Sequence, residues 1–416
     1  MKFKMKYGRG HLHLDLPDDH VHAVIEPSFP PIGDPESLIK AALRNPIASP
    51  GLAGLIKDKC PERVVIVVND HTRPTPYRYL LPPLLNNLLE AGVDKNAITF
   101  LVATGAHRGN TMDEHIDSLG AAVRGYKIIN HDCRGELARL GVLSNGSMLT
   151  INPLVAGADM IILTGLIAPH ELAGFSGGRK SILPGVAGIE AVTSNHALLT
   201  AGGIGAGKLD GNPVHRIMME SLKAVQPDFI VNVVADGGQR PVHVAAGDPE
   251  KAWLAGVELC REAVKVSSGK KAEVGLASAG GHPRDINLYQ AIKSMRNAAK
   301  LISNGGTLVI CAECSQGAGH TVLENWAAEA KTPQDMTARL NKEFVLGGHK
   351  AHLLAELVEQ ISIILISSMP EHSVGNFFMT PAQDFIDALK IVARKHGDKY
   401  NAVVMPDAAL LMPENE

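Results

Sequence analysis

Short runs of β-branched and other apolar residues recur along this chain and alternate with segments of helical character. This alternation limits the possible folds more than any other feature. Residues 63–69 read RVVIVVN, and comparable runs follow at 98–103, 126–130 and 159–164. A run that is apolar at every position indicates a strand buried on both faces, as in parallel sheets covered by helices. The pattern therefore predicts the α/β class, with doubly wound, parallel-type sheets.

The same alternation restarts after a small, polar stretch at Ser267–Lys271, which is typical of a linker. A chain of 416 residues also has room for two or three domains at roughly 150 residues each. We therefore predict an N-terminal domain of residues 1–268 and a C-terminal domain of residues 269–416. The N-terminal domain is expected to begin with a β-hairpin between residues 12–16 and 21–25. The last strand of the chain is a candidate to pack back on that domain.

Composition excludes several classes of protein. With 40 basic and 43 acidic side chains, the net charge is −3, which removes the electrostatic basis for nucleic-acid binding. No uninterrupted apolar stretch approaches the roughly 18 residues that a membrane span needs. The five cysteines are sparse and odd in number, so no disulfide framework is expected. These features predict a cytoplasmic protein that binds neither nucleic acid nor membrane.

Two sets of potential metal ligands have simpler explanations. Cys311 and Cys314 form a lone CxxC, and without a second pair a zinc ribbon is disfavoured. Four histidines near the N-terminus are not accompanied by an acidic or cysteine cluster, and we interpret them as solvent-facing strand positions. They are His11, His13, His20 and His22.

Polar stretches follow each of four predicted strands in the first domain. Ligands of open α/β sheets bind beyond the carboxyl ends of the strands. Four such stretches in succession therefore predict a site at one rim of the sheet. The side chains placed there are Asp70, Arg73, His107, Arg108, His131 and His170. Two histidines at such a rim suit general acid–base chemistry near pH 7.

A glycine-rich stretch, GFSGGRKS at residues 174–181, follows His170. Consecutive glycines allow backbone amides to close around an anion, and Lys180 adds positive charge. The P-loop pattern fails because Arg179 stands where its last glycine should be, and the GxGxxG dinucleotide pattern fails as well. A phosphate-bearing ligand outside those two classes remains a candidate. In the second domain, Gln290 and Lys293 share one face of the predicted helix over residues 286–302.

Taken together, these motifs resemble the nickel-pincer-dependent lactate racemase family. They occur in the family's order over most of residues 1–300, and the PHxxAGFSGGxK run is highly specific. The motifs are DHTRP at 70–74, TGAHR at 104–108, NHD at 130–132, PHELAGFSGGRK at 169–180, PGV at 184–186, NH at 195–196, GNPVH at 211–215 and DINLYQAIK at 285–293. The resemblance implies two α/β domains with the active site in the cleft between them.

The resemblance also implies a cofactor and its ligands. The family uses nickel in pyridinium-3,5-bisthiocarboxylic acid mononucleotide, and Lys180 would tether this nucleotide through a thioamide. His196 would be the single protein ligand of the metal, which agrees with the preference of nickel for soft donors plus imidazole. Contacts to the nucleotide, including its phosphate, are expected from Asp70, Thr72, Arg73, Ser176, Gly177 and Gly178.

The implied reaction is racemisation or epimerisation at C2 of a 2-hydroxy acid. His107 and His170 would act as the two acid–base groups while the hydride moves to and from the cofactor. Arg73, Gln290 and Lys293 would bind the substrate. Lactate, malate, a longer or aromatic hydroxy acid and an aldonate all remain open as substrates, as does the oligomeric state. The implied partners are the small substrate and the cofactor-synthesis enzymes.

Two other functions are kept as alternatives. One is a non-catalytic protein that binds or carries the nickel-pincer nucleotide, although a carrier does not need a pair of histidine bases. The other is an NAD-type dehydrogenase, which the failed glycine pattern disfavours. Exchange of the C2 hydrogen without release of keto acid would distinguish the racemase from both.

Overall fold

The computed structural model describes residues 1–31, 33–267 and 269–413, and it divides into two compact units. The continuous unit comprises residues 29–263, whereas the composite unit joins residues 1–28 to the chain from residue 264 onward. Each unit is built around a six-stranded sheet that is mostly or wholly parallel. The predicted α/β class is therefore confirmed. Residue 268, at the predicted domain boundary, lies outside the described residues.

The sheet of the continuous unit has five parallel strands and one antiparallel edge strand. From edge to edge the strands are Pro241–Gly247, Phe229–Ala235, Met160–Leu166, Val64–Asn69, Ile98–Ala103 and Lys127–Asn130. The α-helices that begin in this unit are Pro35–Arg44, Leu52–Lys59, Tyr77–Glu90, Met112–Leu119, Pro153–Ala156, Ile189–Ala197, Pro213–Val225 and Lys251–Val264. Helix Met112–Leu119 begins after Thr111, as predicted, and a capping box with Glu114 fixes that start.

The core of this unit consists largely of aliphatic side chains. Val64 to Val68 are all buried, and helix Tyr77–Glu90 packs against the same cluster. Removal of this much apolar surface from water is the main force that holds strand and helix together. Two short antiparallel pairs complete the unit. They are Ala138–Val142 with Met148–Ile151, and Pro169–His170 with Gly174–Phe175.

The sheet of the composite unit is parallel throughout. Its strands, from edge to edge, are Thr380–Ala382, Ser362–Ile366, Ile302–Cys311, Ala272–Ser278, Ala402–Met405 and Val21–Val24. The α-helices are Leu288–Ala299, Thr321–Glu329, Pro333–Lys342, Gly348–Gln360, Glu371–Asn376 and Phe385–His396. Further strand pairs join Lys2–Tyr7 to Gly10–Asp15 and Lys265–Val266 to Met412–Pro413. None of the helices in the described part of the chain is long and apolar enough to span a bilayer.

The structure corrects the predicted N-terminal hairpin and the placement of residues 1–28. Gly10–Asp15 pairs with Lys2–Tyr7, because Gly8 takes a left-handed conformation (φ +53°) that permits a tight reversal. Val21–Val24 instead joins Ala402–Met405 in parallel. These N-terminal residues therefore belong to the composite unit. The last strands of the chain do pair with residues of the predicted domain 1–268, because Ala402–Met405 pairs with Val21–Val24 and Met412–Pro413 pairs with Lys265–Val266.

Candidate functional site

The candidate site lies at the carboxyl ends of three neighbouring strands in the continuous unit. Strand Val64–Asn69 lies between Ile98–Ala103 and Met160–Leu166, and both pairings are parallel. The loops that follow these strands therefore leave the same edge of the sheet and carry Asp70, His107 and His170. We call this group, together with Lys180, the strand-end site.

Asp70 and His107 form a close polar pair. His107 Nδ1 lies 2.6 Å from Asp70 Oδ2, and Asp70 is only 3% exposed. Burial opposes ionisation of this carboxyl. The charge and hydrogen bond of His107, with the charge of Arg73 and the hydroxyl of Thr72, outweigh burial and lower the pKa of Asp70 below its usual range. Asp70 is therefore ionised at neutral pH.

The ionised carboxylate determines the tautomer of His107. A carboxylate can only accept a hydrogen bond, so Nδ1 of His107 carries a hydrogen and donates it. In the neutral ring, Nε2 then carries the lone pair that can accept a proton. Thr72 donates both its backbone N–H and its hydroxyl to Asp70 Oδ1, at 3.1 and 2.6 Å. Asp70 and Thr72 thus orient His107, and their predicted contacts with the nucleotide stay a prediction.

His170 is held differently. Its Nδ1 accepts the backbone N–H groups of Leu172 and Ala173 at 3.2 and 3.3 Å, and its Nε2 lies 2.8 Å from Lys180 Nζ. The short antiparallel pair Pro169–His170 and Gly174–Phe175 makes the tight turn that brings these two amides within hydrogen-bond distance of Nδ1. The structure therefore brings His170 and Lys180 into direct contact.

The glycine-rich loop is fixed by hydrogen bonds within the continuous unit. The backbone N–H of Ser176 donates to the Ala168 carbonyl at 2.8 Å, and the N–H of Gly178 donates to Asn232 Oδ1 at 2.8 Å. The Ser176 hydroxyl donates to the Leu166 carbonyl. These two amides stabilise the loop itself, and the predicted contacts of Ser176, Gly177 and Gly178 with the cofactor stay a prediction.

The buried guanidinium of Arg179 stabilises the same loop. Arg179 is 0% exposed, and it donates to the carbonyls of Ala173, Phe175 and Gly177. Its guanidinium carbon lies 3.9 Å from the centroid of the Trp253 ring. Burial lowers the pKa of Arg179 to about 9, which leaves the group charged at neutral pH. Arg179 thus shapes the segment that carries Lys180.

The predicted metal ligand has the tautomer that a ligand requires. Nδ1 of His196 lies 2.8 Å from the Val192 carbonyl, one turn earlier in helix Ile189–Ala197. A carbonyl accepts, so Nδ1 carries the hydrogen and Nε2 carries the lone pair that can bind a metal. Within the described ranges, no group of three or more His, Cys, Asp or Glu side chains could hold a metal by itself. His196 thus offers one imidazole nitrogen to a metal.

Several other predicted candidates have structural roles. His131 is buried between the Ala187 carbonyl and Asn152, and burial lowers its pKa. Arg108 forms a two-pronged ion pair with Glu114. Cys311 is buried, which raises its pKa to about 12 and suits packing rather than redox chemistry.

Two predicted substrate contacts lie in the other unit. Gln290 and Lys293 are half-buried on helix Leu288–Ala299 of the composite unit, and Gln290 donates its backbone N–H to the Asn287 cap. Their part in a shared site stays a prediction. The N-terminal His11, His13 and His22 are exposed, as expected, and the His20 ring packs against Tyr400 in a tilted arrangement, with centroids 4.4 Å apart.

Two residues that stabilise the glycine-rich loop, Asn232 and Trp253, were not predicted from the sequence. Asn232 is a single amide in the otherwise apolar strand FIVNVVA and is fully buried, a pattern that signals a polar partner nearby. Trp253 packs on Arg179 and donates its indole N–H to the Ser176 carbonyl at 3.0 Å. Nothing in the local sequence around Trp253 indicates that contact, which spans 77 residues.

A parallel α/β fold with histidines at its strand ends and a lysine in contact with one of them has the residue types that acid–base enzymes use. Comparison with known proteins identifies the family. Residues 7–205 match the sequence model of the lactate racemase N-terminal domain, and residues 267–412 match that of the C-terminal domain. The chain belongs to the lactate racemase family and is an isomerase.

Individual relatives support this assignment. Lactate racemase of Thermoanaerobacterium thermosaccharolyticum is 35% identical over 97% of both chains, and that of Lactiplantibacillus plantarum is 30% identical over 89% of both. The solved lactate racemase apoprotein from T. thermosaccharolyticum superposes with a TM-score of 0.89 at 34% identity and covers 100% of both chains. A protein of Thermotoga maritima shares the fold at 20% identity, with a TM-score of 0.70 over 92% of this chain and 99% of its own.

Proposed function

We propose that this protein inverts C2 of a lactate-like 2-hydroxy acid and that it works with a nickel-pincer nucleotide. Two lactate racemases at 35% and 30% identity support the substrate class. The observation that carries the proposal is the strand-end site. There, His107 is oriented by an ionised carboxylate and His170 contacts Lys180.

Lys180 and His196 are the residues proposed to hold the cofactor. Lys180 would be joined to the nucleotide through a thioamide, and Nε2 of His196 would bind nickel while its Nδ1–H stays on the Val192 carbonyl. When bound, the nucleotide supplies a site that takes up and returns the C2 hydride. The cofactor-synthesis enzymes are the partners that this proposal requires. A cytoplasmic setting agrees with five free cysteines.

The protein's own residues would manage the proton and the orientation of the substrate. His107 Nε2 would accept the hydroxyl proton as the substrate carbon is oxidised, and Asp70 would stabilise the imidazolium that forms. His170 would serve the opposite face, since inversion in both directions needs an acid–base group on each side. Arg73, half-buried beside Asp70, would hold the substrate carboxylate, with Gln290 and Lys293 proposed as further contacts.

The proposal is tested on protein co-produced with the cofactor-synthesis enzymes. Intact mass should show an adduct that maps to Lys180, metal analysis should give about one nickel per chain, and chiral chromatography should show interconversion of L- and D-lactate. The Lys180→Ala variant should lose the adduct, whereas His107→Ala should keep the adduct and lose inversion. An adduct with nickel but without C2 exchange on any 2-hydroxy acid would replace the racemase with a cofactor carrier.

A further inference from the structure

The contact between His170 and Lys180 restricts where hydrogens can lie. Both ring nitrogens of His170 have close polar neighbours: two backbone N–H groups at Nδ1 and the Lys180 amine at Nε2. A backbone N–H can only donate, so Nδ1 must present its lone pair. Nδ1 therefore carries no hydrogen in this arrangement, and the ring is not an imidazolium.

The hydrogen of the neutral ring must then be on Nε2, the nitrogen that faces Lys180. An Nε2–H at 2.8 Å from Nζ needs an acceptor, and an ammonium has none. If Lys180 were an ammonium, it would donate a hydrogen bond to Nε2. Both ring nitrogens would then have to accept, neither would carry a hydrogen, and the ring would be an imidazolate anion. The hydrogen bonds are satisfied together only when His170 donates from Nε2 to a neutral amine.

We propose that His170 holds Lys180 as the neutral amine in the protein before cofactor attachment, and so prepares Nζ as the nucleophile for that attachment. This inference rests on the proposed function, because it assigns how the tethering lysine becomes reactive. An amine attacks carbonyl-type carbon only through its lone pair, which an ammonium lacks, and Nζ gives up the hydrogen bond from Nε2 as it attacks. His170 is thus a positioning and activating residue before it has any part in the turnover of a hydroxy acid.

The attachment step is balanced without an oxidant or a further reagent. Nζ attacks the carbon of a thiocarboxylate arm, a C–N bond forms, and the C–O bond breaks. One amine hydrogen leaves with the oxygen as hydroxide, and the product is the thioamide that carries the remaining N–H. No atom is oxidised or reduced. His170 positions Nζ for this step through the contact of its Nε2 with Nζ at 2.8 Å.

The same step changes what His170 can do. A thioamide nitrogen has a delocalised lone pair and no longer accepts the Nε2 hydrogen. The acceptor of the Nε2 hydrogen is then lost, and Nε2 is released for proton exchange with the substrate. Attachment of the cofactor would therefore convert His170 from a group that serves Lys180 into a group that serves the reaction.

The test uses the full chain produced without the cofactor-synthesis enzymes. The probe is a trace amount of isotope-coded acetic anhydride at pH 7, followed by peptide mass spectrometry. At that pH only about one ordinary lysine in a few thousand is a neutral amine. Lys180 is half-buried and should nevertheless be acetylated at least roughly tenfold faster than the exposed Lys57.

His170→Gln should reduce the Lys180 rate at least tenfold, because an amide oxygen can accept from an ammonium. His243→Gln, in the edge strand Pro241–Gly247, is the matched control and should leave the rate unchanged.

Equal rates at Lys180 and Lys57 in the wild-type protein would overturn the proposal. A fast Lys180 rate that persists in His170→Gln would overturn the role of His170. Nitrogen-15 NMR of the unmodified protein provides a readout that does not depend on the variant folding. Nδ1 of His170 should have the shift of an unprotonated ring nitrogen, and a protonated Nδ1 would refute the argument. Failure of the proposed function is separate: it would appear as a missing Lys180 adduct in co-produced protein, whatever the amine reactivity.

Discussion

Replacement of Arg179 by methionine should destabilise the continuous unit, although Arg179 has no carboxylate among its hydrogen-bond partners here. Methionine fills much of the same volume but donates no hydrogen bond. The strongest bonds lost are those to the carbonyls of Phe175, at 2.8 Å, and Ala173, at 2.5 Å. Both acceptors lie in a buried loop that depends on donors from within the protein.

The magnitude follows from opposing effects. The buried Phe175 carbonyl would lose its Arg179 donor, at a cost of about 1–3 kcal/mol, whereas the Ala173 carbonyl keeps the Phe175 N–H at 2.9 Å. Loss of the stacking on Trp253 costs about 1–2 kcal/mol. Removal of the charge of Arg179, which is 0% exposed, offsets part of this loss of stability, because a buried guanidinium carries a desolvation penalty. We expect a net loss of about 2–4 kcal/mol in the free energy of unfolding.

Equilibrium urea unfolding followed by tryptophan fluorescence is the appropriate measurement. The chain has two tryptophans, and in a Trp326→Phe background only Trp253 reports, next to the substituted site. Arg216→Met, exposed on the helix Pro213–Val225, is the matched control and should stay within about 0.5 kcal/mol. An Arg179→Met midpoint equal to that of the background would refute the assignment of Arg179 as the support of the loop.

Three further predictions concern the site and its loop. Asp70→Asn should keep the hydrogen bond to His107 but remove the charge, which lowers racemisation about 10²–10³-fold in initial-rate assays. Because the native pKa of Asp70 is lowered, its carboxylate stabilises the fold fully above pH ~4, and urea midpoints should show this difference from Asp70→Asn shrink progressively as the pH falls from that value toward the native pKa. Gly178→Ala should lower the melting temperature, since φ is +55° and a Cβ would lie 2.6 Å from the Trp253 ring, whereas Gly202→Ala, with open space, should not. His196→Ala in co-produced protein should keep the mass adduct and lose nickel by metal analysis; full nickel content would exclude His196 as the ligand.

Part of the fold could be read from the sequence because parallel strands and their ends depend on local composition. The predicted strand at 98–103 matches the structure residue for residue. Pro82 and Pro83 are residues that would be expected to break a helix, yet Tyr77–Glu90 is one helix with both prolines inside it. Its many buried leucines show that burial outweighs the local cost of the prolines.

The details of the site were harder to predict because they depend on partners that are distant in sequence. The strand-end rule placed Asp70 and His107 together, but it did not show that the carboxylate orients the histidine. Glycines at 177 and 178 predicted amides available to an anion. The acceptor of the Gly178 amide, Asn232, comes from a strand more than 50 residues later. A motif identifies the residue types at a site, whereas the state of each hydrogen-bonding group depends on the tertiary structure.

The pairing of Val21–Val24 with Ala402–Met405 has a consequence for synthesis of the chain on the ribosome. These strands are separated by roughly 380 residues, so Val21–Val24 cannot pair until Ala402–Met405 has been synthesised, and only then can the composite sheet be completed. At about 5–20 residues per second, that wait lasts on the order of 20–80 seconds. The continuous unit is translated in full during this interval and can fold first. The histidine, lysine and carboxylate of the strand-end site would thus be assembled while the N-terminal strand still lacks its neighbour.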